Sequence, residues 1–107
     1  MKTKIEQPVQ DLKRDLYWVP IVFVSDDEIR RTKVLVCSTR EHLRGLYDVP
    51  GDKDISEANI DHWIKSAVEK WSRLGGDIFN QDIHYDVSAT TPEGESAGLD
   101  FLLKMTV

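Results

Sequence analysis

The chain has 107 residues, 40% hydrophobic and 31% charged, with a formal net charge of −5. That length suits one domain able to bury a core without metal or disulfide staples. Cys37 is the single cysteine, so no disulfide forms within these residues and a reducing, cytoplasmic setting is expected. The acidic balance argues against nonspecific nucleic-acid binding, where a basic surplus is the norm.

In chain order, residues 1–7 read as a polar, mobile N-terminus of a single domain spanning 1–107. Pro8 to Asp15 suggests a short helix, with Pro8 at its first position and Val9, Leu12 and Leu16 on one side. Leu16–Val24 is the strongest strand signal, rich in β-branched and aromatic residues. One of its faces would carry Leu16, Trp18, Val22 and Val24, and the other Tyr17, Val19, Ile21 and Phe23. Both are apolar, so the strand should be covered on both sides. Pro20 cannot donate to a ladder, which predicts a bulge or an interruption of pairing beside it. The apolar run is far short of the roughly 20 residues a membrane-spanning helix needs. Glu6, Asp11 and Asp15 before it do not suit a signal peptide, so no membrane association is expected.

Ser25-Asp26-Asp27-Glu28 breaks the run, and Thr32–Cys37 returns as its hairpin partner. Ser38-Thr39-Arg40-Glu41 resembles a capping box and opens a helix to about Tyr47, with Leu43, Leu46 and Tyr47 inward. Asp48 to Asp52 is turn chemistry.

The next stretch, Asp54 to Gly76, is the longest amphipathic pattern in the chain. Ile60, Trp63, Ile64, Ala67, Val68, Trp71 and Leu74 step by three and four along one helical stripe. Asp54 or Ser56 serves as N-cap, and Gly75-Gly76 as the stop.

Ile83, Tyr85, Val87 and Ala89 then alternate with polar residues, as do Leu99, Phe101, Leu103 and Met105, predicting two half-buried strands. Setting both apolar sets on one face pairs Val87 with Phe101 and leaves Pro92 to Ser96 as the hairpin loop. His84 would then sit beside Lys104 and Ser88 beside Asp100. The expected fold is α+β: a four-stranded antiparallel sheet of two hairpins, one long helix (about residues 55–74) across one face, and one or two short helices. The long helix would pack on Tyr85, Val87, Phe101 and Leu103.

Chemistry is sparsely signalled. Asp82, His84 and Asp86 share a strand face, the arrangement a metal-assisted hydrolase site would use. A solvated sheet face gives the same pattern. The three histidines lie on different elements and form no zinc-type pair. Cys37, in an apolar strand, reads as a small buried hydrophobe rather than a nucleophile. Arg30, Arg31, Lys33, Arg40 and Arg44 form the one basic cluster, with phosphate contact as its functional reading. If nothing in the chain covers Tyr17, Val19, Ile21 and Phe23, they become a candidate interaction surface.

These features point to a small, acidic, non-catalytic protein-interaction or regulatory domain, binding a protein partner or a second copy of itself as a homodimer. A nucleic-acid-binding regulator and a small metal-assisted hydrolase are the alternatives. No catalytic residue, cofactor or metal is assigned.

Overall fold

A computed structural model describes residues 1–11, 13–51 and 53–105. It shows a mixed α+β fold built on a five-stranded, mostly antiparallel sheet. In order, the elements are β1 (Lys2–Ile5), β2 (Val9–Asp11), β3 (Leu16–Val24), β4 (Arg31–Thr39), α1 (Arg40–Tyr47), α2 (Glu57–Ser72), a 3-10 segment (Gly75–Asn80), β5 (Ile83–Ser88) and α3 (Pro92–Met105).

The β3–β4 hairpin is the centre, in a register that places Trp18 opposite Cys37 and Val22 opposite Lys33. Tyr17, Val19, Ile21 and Phe23 on β3, with Val34 and Val36 on β4, form one core face. Trp63, Ile64 and Ala67 of α2, Leu43 of α1 and Ile78 of the 3-10 segment close over that face. On the opposite face, Leu16, Leu35 and Cys37 pack with Leu102 of α3. The two-sided cover required by an apolar strand is therefore supplied within the chain.

Several local expectations hold. α1 opens where expected, although its cap is Thr39 rather than the Ser38 of the capping-box pattern, its hydroxyl accepting from the His42 N–H at 3.1 Å. Ser56 rather than Asp54 caps α2, accepting from the Asn59 N–H at 3.2 Å. Gly75 takes φ +55° beyond the end of α2, a conformation suited to residues without a Cβ. Leu46 was expected inward but is 56% exposed, because α1 buries only Leu43 fully.

Pro20 interrupts the edge as anticipated. Its carbonyl accepts from the Glu6 N–H at 3.0 Å, and it has no N–H to return. From the pair Ile5–Ile21 to the pair Val9–Trp18, the edge advances four residues while β3 advances three. One residue is thus bulged out beside the proline, and β1 and β2 are two halves of a broken edge strand.

Four expectations are corrected. The N-terminal segment read as a tail supplies β1. The helix expected from Pro8 to Asp15 is instead β2 followed by a turn; Leu12 lies outside the described residues, as do Asp52 of the expected turn and Thr106 of the expected last strand. β5 does not form an antiparallel hairpin with residues 99–106 but runs parallel to β4, with Leu35 beside Tyr85. A parallel pair needs a long crossover, here supplied by α1, α2 and the 3-10 segment.

The last expected strand is α3, and the expected hairpin loop is its first turn. Leu99 to Met105 fits either period, but Gly94, Gly98, Phe101, Leu102 and Met105 also step by three and four. Pro92 stands at the first helical position, and the Thr91 hydroxyl accepts from the Gly94 N–H at 3.1 Å, as an N-cap does.

Gly98 allows α3 to lie close to the sheet. A Cβ built there would stand 2.8 Å from Val87 Cγ1 and 3.6 Å from Cys37 Sγ. Gly98→Ala should therefore cost about 1–3 kcal/mol through overpacking. The measurement is a lower urea midpoint at unchanged m. Gly45→Ala in α1, with nothing within 4 Å of its added Cβ, should be neutral or stabilising by about 0.5–1 kcal/mol. Equal midpoints for the two variants would contradict this packing of α3.

Candidate interaction groove

The structure disperses the sequence candidates. Tyr17, Val19, Ile21 and Phe23 are buried in the core beneath α1 and α2. The basic cluster separates along β4, since Arg31 and Arg40 stand nine residues apart, about 30 Å at strand rise. Arg40 is occupied by Asp15 and Asp54, at 3.5 and 3.2 Å. Arg44 donates to the Lys53 carbonyl at 3.2 Å. Both arginines thus brace the 48–54 loop against α1. At the other end Arg30 stacks on the Phe79 ring at 5.4 Å, while Lys33 pairs with Glu6 at 3.6 Å.

His84 and Asp86 face α2, the reverse of the orientation expected for β5; Ile83, Tyr85 and Val87 instead pack under α3. Asp86 is 9% exposed. It accepts from Trp71 Nε1 at 2.6 Å and from Lys70 Nζ at 3.2 and 3.3 Å. His84 Nε2 lies 2.6 Å from the Ile78 carbonyl, and its ring packs against Trp71 with centroids 5.0 Å apart. These contacts fasten the C-terminal end of α2 to β5. Among the described residues, no group of three or more His, Cys, Asp or Glu is placed to hold a metal ion. Asp100 and Lys104, expected beside Ser88 and His84, are on α3 across the sheet.

Cys37 is fully buried in the sheet beneath α3, and burial pushes its thiol up to about 12. Burial therefore favours the neutral thiol, as expected of a small buried hydrophobe.

A concavity of about 750 Å³ lies between α3 and the β2–β3 end of the sheet. That volume is within the usual range for ligand sites. Trp18 and Phe101 meet edge to face on its floor, with centroids 6.1 Å apart. The Arg14 guanidinium lies 5.2 Å from the Phe101 centroid and donates to Asp11 at 2.8 Å. This hydrogen bond holds the Asp11 carboxyl below the usual range. Val9 and Leu16 continue the sheet wall, while Ala97, Asp100, Lys104 and Met105 line the α3 wall. The groove exists because α3 crosses over β4 and β5 and leaves the β2–β3 side uncovered.

Trp18 belonged to a correctly read strand face, but its neighbours were hidden by the expected last strand. Only the helical reading of residues 92–105 brings Phe101 and Met105 to Trp18. No family model, curated protein or solved structure matches the chain. Among the described residues, no helix is long and apolar enough to cross a membrane.

Two outcomes follow from these contacts. Asp86→Ala should lower stability by about 1–3 kcal/mol, since the Trp71 N–H loses its buried acceptor; a chemical melt indistinguishable from the parent would contradict that role. Cys37 should resist a thiol reagent at pH 8 in the native protein and react promptly in denaturant. Rapid labelling of the native state would refute its burial.

Proposed function

We propose that this chain is a non-catalytic binding domain that receives an apolar segment of a partner protein in the groove between α3 and β2–β3. The observation that supports this reading is the Trp18–Phe101–Arg14 floor, open to solvent and flanked by exposed apolar residues. Met105 at 52% and Val9 at 38% exposure stand at its rim. Trp, Arg and Met are the residue types enriched at protein interfaces, with Trp and Arg prominent among their hot spots. Binding would bury the remaining open parts of Trp18 and Phe101. Asp11, Arg14, Asp100 and Lys104 place both charge signs on the two walls, which favours a segment with polar flanks of both signs.

A photo-crosslinking residue at Met105 identifies the occupant, which is then purified and titrated against the full chain. Trp18→Ala should weaken that binding about tenfold or more, the loss typical of an interface anchor. The melting temperature serves as the folding control. Undiminished affinity in folded Trp18→Ala protein would reject the groove as the binding site.

A further inference from the structure

β1 is an edge strand whose backbone faces are fixed by its register. Glu6 donates inward to the Pro20 carbonyl, and Lys4 and Lys2 follow at steps of two, opposite Val22 and Val24. In an antiparallel ladder such alternate residues all turn their backbone groups towards the partner strand. Thr3 and Ile5 therefore direct their N–H and C=O groups outward, away from β3.

The side chains are equally ordered. Lys2 and Lys4 lie on the α3 face of the sheet, which Val22, Val24, Arg31 and Lys33 share across β3 and β4. Val22 and Val24 are half-buried and belong to neither core cluster. Lys2 holds Glu28 at 2.7 Å and Lys33 holds Glu6 at 3.6 Å; Lys4 and Arg31 have no ion pair among the described residues. On the opposite face Ile5, 47% exposed, stands beside Ile64, Asp61 and Lys65 at a hollow of about 240 Å³.

We propose that β1 receives an extended segment of a partner protein in which acidic residues alternate with apolar ones. Such a segment adds as an antiparallel strand, bonded to the outward groups of Thr3 and Ile5. Its residues opposite Lys2 and Lys4 then occupy non-hydrogen-bonded pairs, where cross-strand side chains approach most closely. Carboxylates fit those positions, and their period of two matches the lysines at about 6.7 Å. Residues between them point to the other face and meet Ile5 and its hollow. A second copy of β1 fits poorly, because antiparallel self-pairing sets lysine near lysine, and lysines on an edge commonly serve to discourage it. A nucleic acid would meet the same cations but has no use for the backbone of Thr3 and Ile5. This edge lies outside the groove, so the two proposals stand or fall separately.

The test is fluorescence anisotropy of the full chain with three labelled probes. They are a peptide alternating glutamate with valine, its lysine–valine counterpart, and oligothymidylate. The glutamate peptide should bind, and Lys2→Glu/Lys4→Glu should weaken it about tenfold, as reversal of two cross-strand ion pairs allows. The same double variant should gain binding of the lysine peptide. Ile5→Pro removes an outward N–H while sparing the ladder to β3, and should abolish peptide binding at unchanged melting temperature. Thr3→Pro serves the same purpose should Ile5→Pro lower that temperature. Trp18→Ala should leave glutamate-peptide binding intact. Binding that survives the proline variants, or oligothymidylate binding in place of the glutamate peptide, would overturn strand addition.

Discussion

Two-sided burial of the β3–β4 hairpin is the constraint that shapes the molecule. Val34, Leu35, Val36 and Cys37 are consecutive and all buried, so neither sheet face can be left to water. Covering one face takes α1, α2 and the 3-10 segment, which is also the crossover that brings β5 parallel to β4. The second cover comes from α3. A single helix crossing close to the sheet meets that demand. Gly98, seated over Val87 and Cys37, makes the approach possible, while Leu102 fills the centre of the second core.

One helix is narrower than a sheet four strands wide. α3 lies over β4 and β5, and the flank facing β2 and β3 becomes the wall of the groove. The position of Trp18 follows from the same geometry. It is opposite Cys37 on the covered face but one strand nearer the edge, where Phe101 reaches it from the side and Arg14 lies over the Phe101 ring. The groove is thus a consequence of incomplete cover, and its aromatic floor is continuous with the second core.

Legibility in the sequence followed the range of the interactions. β3, β4, α1 and α2 carried their own signals: a β-branched run, hydroxyl caps at Thr39 and Ser56, and an apolar stripe from Ile60 to Trp71, although Leu74, read as its last member, lies past the end of α2 and is exposed. Pro20 marked the broken edge because a missing N–H acts locally. α3 was not legible by alternation, since Leu99, Phe101, Leu103 and Met105 keep a period of two while Gly94, Gly98, Phe101, Leu102 and Met105 step by three and four. What decides between them is the sheet beneath, which rewards the Gly94–Gly98 seam only once β4 and β5 are adjacent. The same error turned β5 over, placing Tyr85 and Val87 under the wrong helix. β1 was missed for a related reason: Lys-Thr-Lys-Ile alternates too briefly and too polarly to stand out, and it pairs only because β3 offers an edge. Arg30, Arg31, Lys33, Arg40 and Arg44 are close in sequence, but a nine-residue strand carries the last two to the far end of the sheet.

The distribution of charge gains its meaning from this placement. A chain with net charge −5 carries Lys2, Lys4, Arg31 and Lys33 together on one sheet face, where β1 returns beside β3. Two of the four already hold carboxylates of the same chain, Glu28 and Glu6. These internal pairs are exposed and individually weak, worth at most about 1 kcal/mol, so an incoming carboxylate can displace them at little cost. The bulge beside Pro20 then divides the edge into two kinds of surface. Beyond it, β2 turns into the groove wall with Val9 and Asp11, where side chains make the surface. Before it, β1 keeps a regular ladder, and the outward backbone of Thr3 and Ile5 makes the surface. A proline in mid-strand, otherwise a defect, separates an edge that can accept a strand from one that lines a groove.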